Sequence, residues 1–355
     1  MPVSNQYLAQ YQEPILVTGA TGFIGSRVVR TLLSYGFRHV RCLVRPTSNL
    51  TALNAVSREF GGEAVIEIIT GNLSSRDDCA AAATGVSVVY HLAAGTEKSF
   101  PGCFLHSAVN TRNLLDAVTT QSTLKRFVNV SSLAVYSTDR CKRGGLLDES
   151  CDLDSRTVER YEPYVYGKVK QDEIVLEYAR ATRLPYVLVR PGVVFGPGKP
   201  QLTGRVGIDT FGIFLHLGLN KTIPFTYVDN CAEAIVLAGL RKGIDGETVN
   251  IVDDDLPRSR DVLRLYKQRV HRFASLPVPY PAFYLLCWLW EKYSVWSDGQ
   301  LPPVFNRRRC AAYWKGNTYS NKKAAHLLGW RPRIPMNAAL DTYLASARAA
   351  KDRAR

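Results

Sequence analysis

Residues 18–25 read Thr18-Gly19-Ala20-Thr21-Gly22-Phe23-Ile24-Gly25, three glycines at three-residue spacing between an apolar segment and an amphipathic one. Upstream, Ile15, Leu16 and Val17 follow Pro14 and predict a short buried parallel strand. Downstream, Ile24, Val28 and Leu32 recur at helical spacing until Gly36. A strand, a glycine turn and a helix in that order leave backbone amides at a helix N-terminus, where the dipole favours an anion such as a pyrophosphate. The glycines allow the tight turn, the approach of the pyrophosphate and the packing of helix on sheet. The prediction is an α/β fold, a Rossmann-type doubly wound parallel sheet binding a dinucleotide, with Gly19, Thr21, Gly22, Phe23, Ile24 and Gly25 at the cofactor.

The next segments supply the rest of that fold. Val40 to Arg45 predict the second strand, ending where such folds inspect the adenosine ribose. An acid there suits the 2′-hydroxyl of NAD; Arg45, with Thr47 and Ser48 beyond it, suits the 2′-phosphate of NADP, so NADP is the first choice and NAD the second. A third strand at 64–69 runs into Gly71-Asn72-Leu73, and a fourth at 86–92 runs into Ala93-Ala94, small residues that leave room for a flat ring. Asn72, Leu73, Ala93 and Ala94 are therefore cofactor candidates. Asn110 opens a helical stretch with Leu114, Leu115 and Val118. The fifth strand, at 127–130, delivers Ser131 and Ser132 to the same sheet edge.

Tyr164 and Lys168 stand four apart on a helix expected over about 161–182, which puts both on one face. A tyrosine with a pKa near ~10 is a poor base at neutrality, and a neighbouring ammonium is expected to favour its phenolate. Lys168 can also hold the nicotinamide ribose, while Ser132 hydrogen-bonds the reacting oxygen. Tyr166 and Lys170 share the spacing. Gly167 beside Lys168 leaves room for a cofactor where Val169 beside Lys170 does not, and this favours Tyr164 with Lys168.

The order of residues 18–25, Ser131-Ser132, Tyr164 to Lys168, Arg190-Pro191-Gly192-Val193-Val194-Phe195-Gly196-Pro197, Phe225 to Asn230 and the closing Leu327 to Pro332 resembles the extended short-chain dehydrogenase/reductases, the NAD-dependent epimerase/dehydratase superfamily. The resemblance implies Ser132, Tyr164 and Lys168 as the catalytic set. It also implies Gly19, Gly22, Phe23, Ile24, Gly25, Ala93, Pro191 and Val193 near the cofactor. Three departures stand out: Asn72 replaces an aspartate usual at adenine, Ser137 replaces a glycine, and Arg45 replaces an acid. Leu133 and Ala134 follow Ser132 where family dehydratases carry an Asp-Glu pair; without a proton donor for a leaving hydroxyl, hydride transfer alone remains. The segment from Phe225 is closer to the 3β-hydroxysteroid dehydrogenase branch, whereas Arg205 and Arg307-Arg308-Arg309 would suit a diphosphate.

The first expectation is thus an NAD(P)-dependent oxidoreductase acting at a secondary alcohol or ketone of a sterol-like, lipid-like or otherwise bulky substrate. The alternative is a nucleotide-sugar epimerase, and a remote third is a non-catalytic cofactor-sensing protein, which the intact Ser-Tyr-Lys set argues against. Residues 1–197, completed by about 229–255, are expected to form the cofactor domain, and 198–355 mainly a smaller C-terminal substrate lobe.

Charge and hydropathy qualify this reading in the last hundred residues. The net charge of +14 is confined to them: residues 1–255 carry 26 Lys+Arg and 26 Asp+Glu, residues 256–355 carry 19 and 5. Such a face attracts anions, and no nucleic-acid motif accompanies it. The apolar run at 281–290 (Pro-Ala-Phe-Tyr-Leu-Leu-Cys-Trp-Leu-Trp) is too short for a hydrocarbon core that needs ~20 residues. It is expected to be a helix over the active site, a homodimer contact, or an interfacial helix at acidic lipid, serving an anionic or lipid-linked small-molecule substrate. Eight scattered cysteines without a Cys-x-x-Cys pair, and six histidines without ligand spacing, point to reduced thiols, no metal and a cytoplasmic protein, peripheral at the membrane if the interfacial reading holds. Residues 1–14 lack the apolar core of a signal peptide and are expected to be a loose arm, as is a frayed basic helix end at 345–355.

Overall fold

The computed structural model describes residues 6–61, 65–138, 141–210, 212–298 and 300–353. Seven strands build the main sheet: β1 (Ile15–Thr18), β2 (His39–Val44), β3 (Val65–Thr70), β4 (Val88–His91), β5 (Arg126–Val130), β6 (Tyr186–Pro191) and β7 (Glu247–Ile251). Their order is β3-β2-β1-β4-β5-β6-β7 and every pairing is parallel. β1 pairs with both β2 and β4, so the order in which the chain adds strands reverses at β1, and a crevice opens at the carboxyl ends of β1 and β4. This is the doubly wound sheet that the glycine stretch predicted.

Alternation along β1 explains the two layers. Ile15 and Val17 face the helices Gly25–Ser34 and Val228–Leu240, packing with Val28, Leu32, Ile235 and Val236. Leu16 faces the other way, into a core with Leu114, Leu115 and Val118 of Asn110–Val118 and Val175 of Pro163–Thr182. β1, β4 and β5 are buried throughout, as central parallel strands with both faces covered must be. The third strand was expected from residue 64, which lies outside the described residues.

The parallel pair Val193–Phe195 and Phe225–Tyr227 leads from β6 into a second region. There the strands Gly207–Thr210, Ile213–His216 and Ser275–Pro277 form a small sheet, flanked by the helices Ser259–Arg269, Tyr280–Trp296 and Arg307–Trp314. The helix Met336–Arg353 packs through Met336, Leu340, Tyr343 and Leu344 on Val262, Leu263 and Tyr266.

Packing reaches into part of each expected loose end. Ala347 is buried, so the last helix is docked as far as that residue, while Arg348, Ala349, Asp352 and Arg353 are exposed. At the other end, Tyr7 and Tyr11 set their rings against Tyr35 and Phe37 at centroid distances from 5.2 to 6.0 Å, and Leu8 N–H donates to Leu240 O. Burying aromatic area outweighs the freedom of a polar-looking segment; residues 1–5 lie outside the description. No helix among the described residues is long and apolar enough to cross a membrane.

Candidate active site

The glycine loop lies against the end of β4. Gly19 has φ +69°, and a Cβ there would come within 2.9 Å of Ala93 N; a Cβ on Gly25 would sit 2.1 Å from Gly19 O. Neither position accepts a side chain, and the loop's backbone comes close to the end of β4 at the mouth of the helix Gly25–Ser34. Beneath the loop runs a buried polar chain. Thr18 Oγ1 lies 2.7 Å from His91 Nδ1, His91 Nε2 lies 2.8 Å from Thr111 Oγ1, and Gln171 Nε2 donates to Thr111 at 2.9 Å. Thr111 donates to Ser107 O, so it accepts from His91, which is a neutral ring protonated on Nε2. Burial enforces this neutrality, pulling the imidazole down to about 3.

The two predicted side chains of the long helix reach the same place. Lys168 is buried; its Nζ donates to Val130 O at 2.6 Å and to Gln171 Oε1 at 2.8 Å. Burial lowers its pKa to about 8, partly opposed by Asp172. Asp172 accepts from Asn129, Ser131 and Arg190, which fixes the helix on the ends of β5 and β6. Ser132 caps the short turn Leu133–Val135, its Oγ accepting from Ala134 N–H. Tyr164 lines the cleft with 37% of its surface accessible. Burial of its hydroxyl end raises the phenol pKa, with Asp172 and Cys103 adding to the rise, while a hydrogen bond with the Ser132 hydroxyl pulls it back. The direction is opposite to the lowering expected from sequence, because burial of the hydroxyl end outweighs the influences that favour the phenolate.

The competing pair goes elsewhere. Tyr166 packs on Phe100 and Phe104, and Lys170 pairs with Glu173 at 2.6 Å on the exposed side of the helix. The reason given for preferring Tyr164 needs correction, however: a Cβ on Gly167 would meet Cys103 O at 2.8 Å and Ser107 Oγ at 3.0 Å. Gly167 serves the packing of two helical segments, not a cofactor.

Two adjoining cavities share Gly19, Gly22, Leu92, Ala94 and Thr96. The first, of about 570 Å³, is lined by Gly22, Phe23, Ile24, Gly25, Ser132, Tyr164, Lys168, Pro191 and Val193. The second, of about 340 Å³, is lined by Gly19, Thr21, Arg45, Asn72, Leu73, Ala93 and Ala94. Every cofactor candidate from the sequence therefore lines one of two cavities that share their border residues and are floored by a glycine cradle that a Cβ would fill; the residues fit the group. Arg45 is exposed just beyond β2, its N–H donating to Ser48 Oγ. Asn72 Oδ1 caps Ser74 N–H, and Asp78 accepts from Asn72 N–H.

Sequence reasoning missed one basic and aromatic group in the lining of the first cavity as a unit. Lys199, Arg205, Arg309 and Tyr313 line it together. Arg205 and Arg309 both lie over the Tyr313 ring, at 5.1 and 5.9 Å, and Lys199 lies 5.4 Å from the Phe23 ring, its ammonium lowered by burial. His91, Thr111 and Gln171 were also missed; the one available signal was Gln171, three residues after Lys168 on the same helix face. Among the described residues no group of three His, Cys, Asp or Glu side chains could hold a metal, and all eight cysteines are free thiols.

The comparisons agree with this architecture. "Sterol demethylase protein B" of Methylococcus capsulatus is 30% identical over 244 residues, spanning 65% of this chain and 67% of that protein. The Bos taurus "sterol-4-alpha-carboxylate 3-dehydrogenase, decarboxylating" is 25% identical over 358 residues, spanning 93% of this chain and 91% of that one. Among solved structures, UDP-glucuronic acid 4-epimerase from Bacillus cereus in complex with NAD superposes with a TM-score of 0.70 at 22% identity, over 96% of this chain and 98% of the other; it shares the fold. The model of the NAD dependent epimerase/dehydratase family matches residues 15–251. The chain accordingly belongs to that family, and is an NAD(P)-dependent enzyme of the extended short-chain dehydrogenase/reductase type.

Proposed function

We propose that the protein is an oxidoreductase acting at a secondary alcohol or ketone of a bulky, sterol-like or lipid-like substrate, with Ser132, Tyr164 and Lys168 as its catalytic residues. The observation that carries this is the convergence of the three side chains on one cleft beside the glycine cradle. NAD(P), when bound, supplies or accepts the hydride. Tyr164, with its pKa raised, holds its proton at neutral pH and gives it to the substrate oxygen in the reducing direction. Ser132 hydrogen-bonds the phenol and the same oxygen, and limits the cost of the phenolate that forms. Lys168, anchored by Val130 O and Gln171, keeps a positive charge near that oxygen and offers its remaining donor to the ribose. Leu133, Ala134, Val165 and Val194 give the cleft an apolar wall, which supports a bulky apolar substrate, as do the two relatives named for sterol chemistry.

A second reading, epimerisation of a nucleotide-activated sugar, is favoured by one observation: Lys199, Arg205 and Arg309 present cations to the same cleft, suited to a diphosphate. One experiment separates them. Candidate substrates are turned over while absorbance is followed at the reduced-nicotinamide band; net change supports the oxidoreductase, and product without net change supports the epimerase.

We infer NADP as the preferred cofactor, because Arg45 stands at the end of β2 beside Ser48 in the second cavity, where a guanidinium pairs with a 2′-phosphate. We also assign residues 1–197 with about 229–255 to cofactor binding and the remainder mainly to substrate, in a cytoplasmic protein whose helix Tyr280–Trp296 rests on an acidic membrane surface. That helix buries Phe283 and Cys287 but leaves Leu285, Leu286 and Leu289 about half exposed and Trp296 77% exposed, on the most basic part of the chain. Pairing of two copies through the same face is the alternative occupant.

A further inference from the structure

Arg160 lies in the polar segment between the Ser132 turn and the Tyr164 helix, yet it is 2% exposed. Its guanidinium divides its donors between the two catalytic elements. Nη1 donates to Ala134 O at 2.8 Å, the carbonyl of the turn that Ser132 caps. Nε and Nη2 reach Glu162 Oε2 at 2.9 and 2.7 Å, and Glu162 immediately precedes the helix Pro163–Thr182 that carries Tyr164. Nη1 also lies 3.4 Å from Asp154, whose own N–H donates to Val135 O in the same turn. The remaining oxygen of Glu162 faces Arg309, which also lines the first cavity, at 3.6 Å, and Asn306 donates to Arg160 O at 3.0 Å.

A charged side chain is taken out of water only at high cost unless its donors are filled. Here they are filled by the main chain next to Ser132 and by the carboxylate that begins the Tyr164 helix. Apolar residues of similar volume would seat the two segments without joining them. The planar fork does join them, because one rigid group fixes the separation between Ala134 O and Glu162. Tyr161, at φ +55°, turns the chain between Arg160 and Glu162 so that both face inward.

We propose that Arg160, through Glu162, is a positioning residue that fixes the turn capped by Ser132 against the start of the helix that carries Tyr164, and so sets where the two side chains stand relative to each other. The inference rests on the assignment of Ser132 and Tyr164 as catalytic.

The test uses Arg160→Lys, which keeps the buried charge beside Glu162 but cannot span to Ala134 O, and Glu162→Gln, which keeps the shape. Both are made in the wild type and in a Ser132→Ala background. A misplacement of about 1 Å costs on the order of 100-fold, so kcat should fall ~10- to ~100-fold with cofactor Kd within about twofold. In the Ser132→Ala background the same substitutions should cost less than about threefold, because the partner they align is gone. Unchanged kcat, equal losses in both backgrounds, or a fall in cofactor affinity parallel to kcat would overturn the proposal. If Arg160→Lys proves unfolded by circular dichroism, Glu162→Gln carries the same comparison. Should Ser132→Ala and Tyr164→Phe themselves retain normal turnover, the catalytic assignment fails instead, which is a different result.

Discussion

Asp253 follows β7 by two residues and ties the main sheet to the strand Phe225–Tyr227, its N–H donating to Phe225 O. It is 3% exposed, with Oδ2 accepting from Tyr227 N–H at 2.9 Å and from Asn230 Nδ2 at 3.0 Å, while Oδ1 has no hydrogen-bond partner among the described residues. Burial raises the carboxyl pKa to about 7, with Asp254 adding to the rise against the two hydrogen bonds. A carboxyl whose folded pKa lies above its unfolded value of 3.8 binds its proton more tightly when folded, so its contribution to stability is present at low pH and lost as pH rises through about 7. Between pH 5.5 and pH 8 that loss comes to about 2 kcal/mol, or roughly 3 °C in Tm for a chain of this length. Asp253→Asn keeps the acceptor toward Tyr227 and Asn230, puts an uncharged amide where Oδ1 stood, and should remove this slope. Melting both proteins across the interval is the assay. The variant should equal or trail the wild type at pH 5.5 and exceed it at pH 8; parallel profiles would refute a buried, proton-retaining Asp253.

Tyr164→Phe keeps the ring and removes the proton donor, so cofactor binding should survive while turnover falls by roughly two to four orders of magnitude, against at most a few-fold for Tyr166→Phe; the reverse ranking in steady-state kinetics would move the site to Tyr166. Arg45→Asp should shift cofactor preference from NADP toward NAD, and titrations showing unaltered selectivity would mean that Arg45 does not meet the ribose. Leu285→Glu with Leu289→Glu places charge on the exposed face of the helix Tyr280–Trp296 and should abolish sedimentation with anionic vesicles at low salt, with turnover of a soluble substrate intact. Equal recovery of the wild type in the supernatant with and without vesicles would return that face to a protein contact, and a shift from dimer to monomer in the double variant would identify the partner as a second copy.

The doubly wound sheet was legible in the sequence because its signals are local. A glycine turn requires particular backbone angles, a buried parallel strand requires an unbroken apolar run, and Tyr164 and Lys168 share a face by helical spacing alone. Arg45 could be placed at the end of β2 by counting along one strand. What the sequence could not express depends on residues far apart in the chain. Tyr7 and Tyr11 look like part of a polar arm until Tyr35 and Phe37 are beside them. Gly167 looks like space for a cofactor until Cys103 and Ser107 are seen to fill it, and the raised pKa of Tyr164 follows from the burial of its hydroxyl end. Arg160 is the clearest case: in a stretch as charged as Asp154 to Glu162 it reads as solvated, and only the meeting of Ala134, Glu162 and Arg309 in space turns it inward. Backbone preference and hydrophobic period are properties of neighbouring residues, so sequence determines them; burial of a charge, a pKa and the partner of a hydrogen bond are properties of a surrounding that exists only once the chain has closed on itself.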